Sequence, residues 1–285
     1  MNISFSDFWG GRFPFTNNNN FLLDLLKTID PEINLVPLSN KTDILIYSCF
    51  GDKHLSVDRK NIKKIFFTGE NKRPNFDECD YSLSFDFPDY GGKNIRLPLW
   101  YFHIDWFGKG GYGNPKYIIP IKDLDDNIFT RKEKSKFCSA MYSNPVENRV
   151  KFYKKLSEYK KVDGYGKPFN NWNYGEDNKY QIISNYKFNI CFENTDYPGY
   201  HTEKLFQAKV AGCIPIYWGA ETIKNDFNEK CFINLKDFNG DMDLLSEYIK
   251  EIDSDDNLYK SIFNEPLFNE PPSIVSVMEK LKNIL

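Results

Sequence analysis

The chain has 285 residues and a formal net charge of −3. That length suits two domains of ordinary size better than a single core, and interspersed charges of both signs argue against a nucleic-acid binder. No apolar run approaches the roughly 18 residues needed to cross a membrane, and the first residues lack the basic-then-apolar pattern of a signal peptide. The expectation is a soluble cytoplasmic protein, in solution or peripheral at the inner face of a membrane, or else a chain trimmed of its anchor.

Residues 2–47 read as strand, loop, helix, strand. Ile3, Phe5 and Phe8 form the first apolar stretch, followed by Asp7-Phe8-Trp9-Gly10-Gly11 at a strand end. Asn17 to Asn20 reads as a loop and helix cap. Phe21 to Ile29 predicts a helix with Leu22, Leu25, Leu26 and Ile29 on one face. Asp43 to Phe50, DILIYSCF, predicts a buried strand, and the alternation points to α/β architecture with a parallel sheet.

Ile62 to Thr68 predicts a strand broken by Gly69, with Glu70 just past the break. Carboxyl ends of parallel strands are where ligands bind in such sheets. A surface glutamate in a turn is the competing reading. Tyr81 to Phe85 predicts another strand. In NIRLPLWYFHIDW, residues 94–106, Pro98 argues for an edge or connector. Trp100, Tyr101 and Trp106 could stack on sugar faces, and His103 reads as structural.

Gly108, Gly110, Gly111, Gly113 and Pro115 predict a flexible loop near the domain boundary. The aspartate runs Asp123 to Asp126 and Asp253 to Asp256 resemble divalent-metal ligands, but both read here as solvated segments, and no metal site is assigned. Cys49, Cys79, Cys138, Cys191, Cys213 and Cys231 have no metal spacing and read as small buried hydrophobes.

Lys136 to Met141 predicts a strand, with Tyr142-Ser143-Asn144-Pro145 and then a helix from about Val146 to Tyr159 carrying Arg149. Val162 to Gly166 predicts a short strand and loop. The stretch YKFNICFENTDYPGYHTEKLFQAKVAGCIPIYWG, residues 186–219, predicts a strand, a polar loop, a helix beginning at Thr202 and a second strand. A helix N-terminus favours anions, Lys204 adds a charge there, and Glu203 suits sugar hydroxyls, which together suggest a nucleotide-sugar site. A plain helix start capped by Thr202 is the competing reading. Cys231 to Leu235 predicts a strand, Asp241 to Ile252 a helix, and a last helix near residues 274–284 is expected to cross back over both domains.

FENTDYPGYHTEK followed by AGCIPIYWG resembles the signature of the α-1,3/1,4-fucosyltransferases, glycosyltransferase family 10, with Thr195 in place of the usual serine. TGENKRPNF and SNPVENRVKFYKKL resemble further segments of that family, and Phe8 to Gly10 resembles its bacterial D-W-W-G segment. Bacterial relatives often carry a second acid where Lys72 stands here. The resemblance implies GT-B architecture, two Rossmann-like domains facing across a cleft, with residues 1–130 on the acceptor side and 131–285 binding GDP-fucose. It implies Glu70 as catalytic base, Arg149, Asn194, Tyr200, Glu203, Lys204 and Asn144 as donor-binding residues, and Trp9, Trp100 and Tyr101 on the acceptor side. The implied reaction moves L-fucose from GDP-β-L-fucose, with inversion, to O3 of N-acetylglucosamine in an oligosaccharide of the Lewis type, with no essential metal. Another GT-B enzyme with a different nucleotide sugar, or an inactive glycan-binding module on the same fold, stays open.

Overall fold

The computed structural model describes residues 1–9, 20–58, 60–108, 118–171 and 179–285. Gly10, Gly11, Asn17 to Asn19, Gly110, Gly111, Gly113 and Pro115 lie outside the described residues. Two compact units emerge, Met1–Ile118 with Ser273–Leu285, and Ile119–Pro272. The expected division was contiguous, at residue 130.

The first unit is built from β1 (Asn2–Ser6), α1 (Phe21–Ile29), β2 (Asn34–Leu35), β3 (Ile44–Tyr47), β4 (Lys63–Phe67), β5 (Tyr81–Ser84) and β6 (Asn94–Arg96). Its sheet runs β2-β1-β3-β4-β5-β6 with every pair parallel. The period-2 alternation of a strand divides β3 between two cores: Ile44 and Ile46 face one, Leu45 and Tyr47 the other. Both faces are buried, which explains the unbroken apolar run. Asn20 caps α1, its side chain accepting from the Leu23 amide at 2.7 Å. β6 ends before Pro98, so that proline never has to donate to the ladder.

The second unit comprises β7 (Lys136–Met141), α2 (Glu147–Ser157), β8 (Val162–Tyr165), α3 (Lys179–Ile183), β9 (Tyr186–Phe192), α4 (Glu203–Val210), β10 (Ile214–Trp218), β11 (Ile233–Asn234), α5 (Met242–Ser254) and α6 (Asp256–Phe263). Its sheet runs β8-β7-β9-β10-β11, again all parallel. In both sheets the second strand lies outside the first and later strands lie on the other side. This doubly wound order puts a topological switch point between β1 and β3 in one unit and between β7 and β9 in the other, where ligands bind outside the carboxyl ends.

The final helix, α7 (Val275–Lys282), packs on α1 and β6 of the first unit. Val277 and Leu281 enter that unit's core, and each buried aliphatic side chain contributes about 1.5–3 kcal/mol.

In the second aspartate run Asp255 and Asp256 are exposed as expected, but the Asp253 side chain is not solvated. Asp253 is half-buried at the end of α5 with its side chain 3% exposed, and it accepts from Lys160 at 2.9 Å, Lys187 at 2.9 Å and the Tyr159 hydroxyl at 3.1 Å. Asp255 caps α6 through the Asn257 and Leu258 amides. In the first run Asp126 forms a two-pronged pair with Arg131, and Asp125 accepts from the Leu267 amide. Among the described residues no cluster of His, Cys, Asp and Glu is arranged to hold a metal, and no helix is long and apolar enough to cross a membrane. Five of the cysteines are buried and Cys49 is half-buried.

Candidate active site

The switch point of the second sheet collects most of the residues expected on the donor side. β7 ends before Asn144, and α2 brings Arg149 back over the strand ends. Arg149 is 1% exposed. Its Nε and Nη2 both donate to the Phe192 carbonyl at the end of β9, at 2.9 and 2.6 Å, and Nη1 donates to the Asn144 carbonyl at 3.1 Å. These bonds occupy three of the guanidinium's five N–H groups. The cation also lies 4.9 Å from the centre of the Tyr142 ring. Burial pulls its pKa down, opposed by the charges of Glu193 and Glu203. Asn144 is exposed and serves Arg149 through its carbonyl.

The loop after β9 begins with Glu193, which is fully buried. Sequence reading passed over it. Its Oε1 accepts from the Thr202 amide at 2.9 Å, the Thr202 hydroxyl lies 2.8 and 2.9 Å from its two oxygens, and Lys204 Nζ donates to Oε2 at 2.9 Å. Lys204 also donates to Thr202 Oγ1 at 2.7 Å. Thr202 therefore does not cap α4 with its side chain, contrary to the plain-cap reading. Its hydroxyl is committed to the buried Glu193 carboxylate. Burial works against the Lys204 charge, but Glu193 and Glu203 outweigh both burial and the repulsion of Arg149, and its pKa lies above the ordinary lysine value.

Glu203, at the first turn of α4, approaches Lys204 to 3.9 Å. Tyr200 is buried. Asn194 is half-buried, and its buried Oδ1 accepts no hydrogen bond among the described residues. Such an orphaned acceptor costs free energy unless something else donates to it. A third cation, Lys179, opens α3 and donates to Gln207 Oε1. Burial lowers its pKa, and Glu203 is the largest influence opposing that. Three cations against two carboxylates leave the cluster net positive, which suits a multiply charged anion. Gly219, after β10, is packed with no room for a side chain: a Cβ there would lie 2.4 Å from Tyr217 Oη and 3.0 Å from Glu193 Cγ.

In the first unit Glu70 is half-buried in the turn after β4. Its amide donates to Thr68 Oγ1 at 2.9 Å, and its carbonyl accepts from the Lys72 amide. Gly69 is packed so that a Cβ would meet Leu99 at 2.9 Å. The Glu70 carboxylate takes no hydrogen bond among the described residues. Trp9 follows β1, is 55% exposed, and stacks on Phe50 beyond β3 with centroids 5.6 Å apart. Asp7, in left-handed backbone at φ 60, fixes the neighbouring turn by accepting from the Lys53 and His54 amides. Burial disfavours its charge, yet these bonds and the His54 ring hold its pKa below the usual carboxylate value. Trp100 is only 3% exposed, so its ring faces are packed inside rather than offered to a sugar. Tyr101 is half-buried, with its hydroxyl donating to the Ser273 carbonyl.

Residues 130–265 match the profile of the glycosyltransferase family 10 (fucosyltransferase) C-terminal domain, and residues 3–103 match the N-terminal domain of the α-(1,3)-fucosyltransferase FucT. The chain belongs to glycosyltransferase family 10. It is 30% identical to the α-(1,3)-fucosyltransferase FucT of Helicobacter pylori over 94% of its own length, and spans 60% of that relative. It is 37% identical to 4-galactosyl-N-acetylglucosaminide 3-α-L-fucosyltransferase 9 of Mus musculus over 42% of its own length and 34% of the relative's. A crystal structure of an α1,3-fucosyltransferase with GDP-fucose superposes with a TM-score of 0.75 at 27% identity, covering all of this chain and 90% of the other. The family 10 chain thus has the α/β, GT-B class of fold, built on parallel sheets.

Proposed function

We propose that this chain is an inverting fucosyltransferase that moves L-fucose from GDP-β-L-fucose to a sugar hydroxyl, O3 of N-acetylglucosamine in an N-acetyllactosamine or Lewis-type oligosaccharide. The observation that carries this reading is the net-positive cluster of Arg149, Lys204 and Lys179 at a switch point, beside an unpaired Asn194 acceptor. The diphosphate lies against Arg149 and Lys204, whose charges neutralise the departing GDP as the bond from fucose C1 to phosphate oxygen breaks. The Arg149 fork is held by the Phe192 carbonyl, so Arg149 offers the diphosphate its fixed charge and the two N–H groups left over. Asn194, Tyr200 and Glu203 hold the nucleotide and the fucose.

Glu70 takes the acceptor's hydroxyl proton while that oxygen attacks C1 from the opposite face, giving the α-linkage. Its unengaged carboxylate supports that role. On the acceptor side, Trp9 and the stacked Phe50 present an aromatic surface at the other switch point. The name of the mouse relative supports the acceptor and linkage. As drawn, leaving-group charge is met by side chains, and no metal is required.

Incubation with GDP-fucose and an oligosaccharide panel, following GDP release and product linkage, tests the reading. Turnover with an α-1,3-linked product is expected. Release from a UDP- or ADP-sugar instead, or binding of glycan without any donor turnover, would replace it.

A further inference from the structure

The loop that carries Tyr200 and leads into α4 is held at a second place besides Glu193. His201 is 1% exposed. Its Nδ1 lies 2.6 Å from Asp226 Oδ2 and its Nε2 lies 3.0 Å from Thr222 Oγ1. The Gly199 amide donates to the same Thr222 oxygen at 2.9 Å. A carboxylate only accepts, so Nδ1 carries the proton. An amide only donates, so the threonine oxygen accepts from Gly199 while it also pairs with Nε2.

Thr222 lies in a short helical turn, Glu221–Asn225, which follows Gly219 and β10, and Asp226 ends it with its amide bonded to the Ile223 carbonyl. The next residue, Phe227, is buried. The clamp therefore ties a loop containing a left-handed glycine, Gly199 at φ 84, to the rim of a central strand. Two anchors bracket Tyr200: this clamp at Gly199 and His201, and Glu193 at Thr202. We infer that His201, Asp226 and Thr222 are positioning residues that hold the nucleotide-binding loop in a single shape, and so set donor affinity without touching the donor. This rests on the donor site proposed above. The physical basis is preorganisation: a loop already ordered loses less freedom when ligand arrives.

Thr222→Val removes the acceptor for Gly199 and the partner of Nε2 while keeping the volume, and Thr222→Ser restores the hydroxyl. GDP affinity by calorimetry is expected to fall about tenfold in the valine variant and to return in the serine variant. The KM for GDP-fucose should rise in step, with kcat changed by less than about threefold. Amide hydrogen exchange of residues 197–204 should accelerate in T222V and return to the wild-type rate in T222S. His201→Asn, which keeps an N–H toward Asp226 and loses the Thr222 contact, serves if T222V does not fold, and should give a smaller change in the same direction. Unchanged affinity and exchange in these variants, or a serine variant no better than valine, would overturn the clamp. A wild-type protein that binds no GDP would count against the donor site, while the exchange comparison would still decide the clamp.

Discussion

Lys204 donates to the fully buried Glu193 at 2.9 Å, and the same carboxylate receives both the amide and the hydroxyl of Thr202. The cation expected to meet the diphosphate is thus fixed by a fully buried carboxylate. Removing one partner of a buried pair is far costlier than the pair is worth. Glu193→Ala should lower stability by about 3–5 kcal/mol in denaturant unfolding. Glu193→Gln should keep the Thr202 bonds, lose less stability, and weaken GDP binding by releasing Lys204. Equal stability for wild type and alanine variant would remove Glu193 from this role.

Arg149 spends three bonds on main-chain carbonyls, unlike a solvated helical arginine. Arg149→Lys cannot reproduce the fork, and each lost charge-assisted bond contributes about 1.5–3 kcal/mol. The lysine variant is expected to melt several degrees lower and to bind GDP at least about tenfold more weakly. A variant with normal melting and normal GDP affinity would contradict the placement.

Glu70→Gln should leave GDP binding unchanged and lower turnover by about a hundredfold to ten-thousandfold, the range for loss of a general base. Binding by calorimetry and turnover by GDP release separate the two. Near-normal turnover would assign the base to another group.

Asp253 gives a pH signature. Burial raises its pKa, but Lys160 and Lys187 outweigh burial and leave it below the ordinary carboxylate value. A depressed folded pKa means stability that is present above the unfolded value, near 3.9, and lost as pH falls through the folded value. Asp253→Asn should therefore lower stability at pH 7 and flatten the loss between about pH 4 and the acid limit. Unfolding curves at several pH values check this, and parallel profiles for the two proteins would exclude it.

Much of the fold was legible because it rests on local pattern. DILIYSCF and NICF are apolar runs of strand length, and the YHTEK stretch announces a helix start after a loop. Glu193 was missed because its partners, Thr202 and Lys204, lie a loop away, and only the folded strand end brings them together. Asp253 misled for a related reason. In an acidic run it looks solvated, whereas Lys160 and Lys187 arrive from distant segments to bury it. Trp100 looked like a sugar platform by composition, but packing, which a linear reading cannot weigh, put it inside.

Calorimetric titration of GDP, UDP and ADP into wild type and Lys204→Ala tests the central claim most directly. The account predicts selective GDP binding that weakens at least about tenfold in the alanine variant. Equal GDP affinity in both proteins, or preference for another nucleotide, would contradict it.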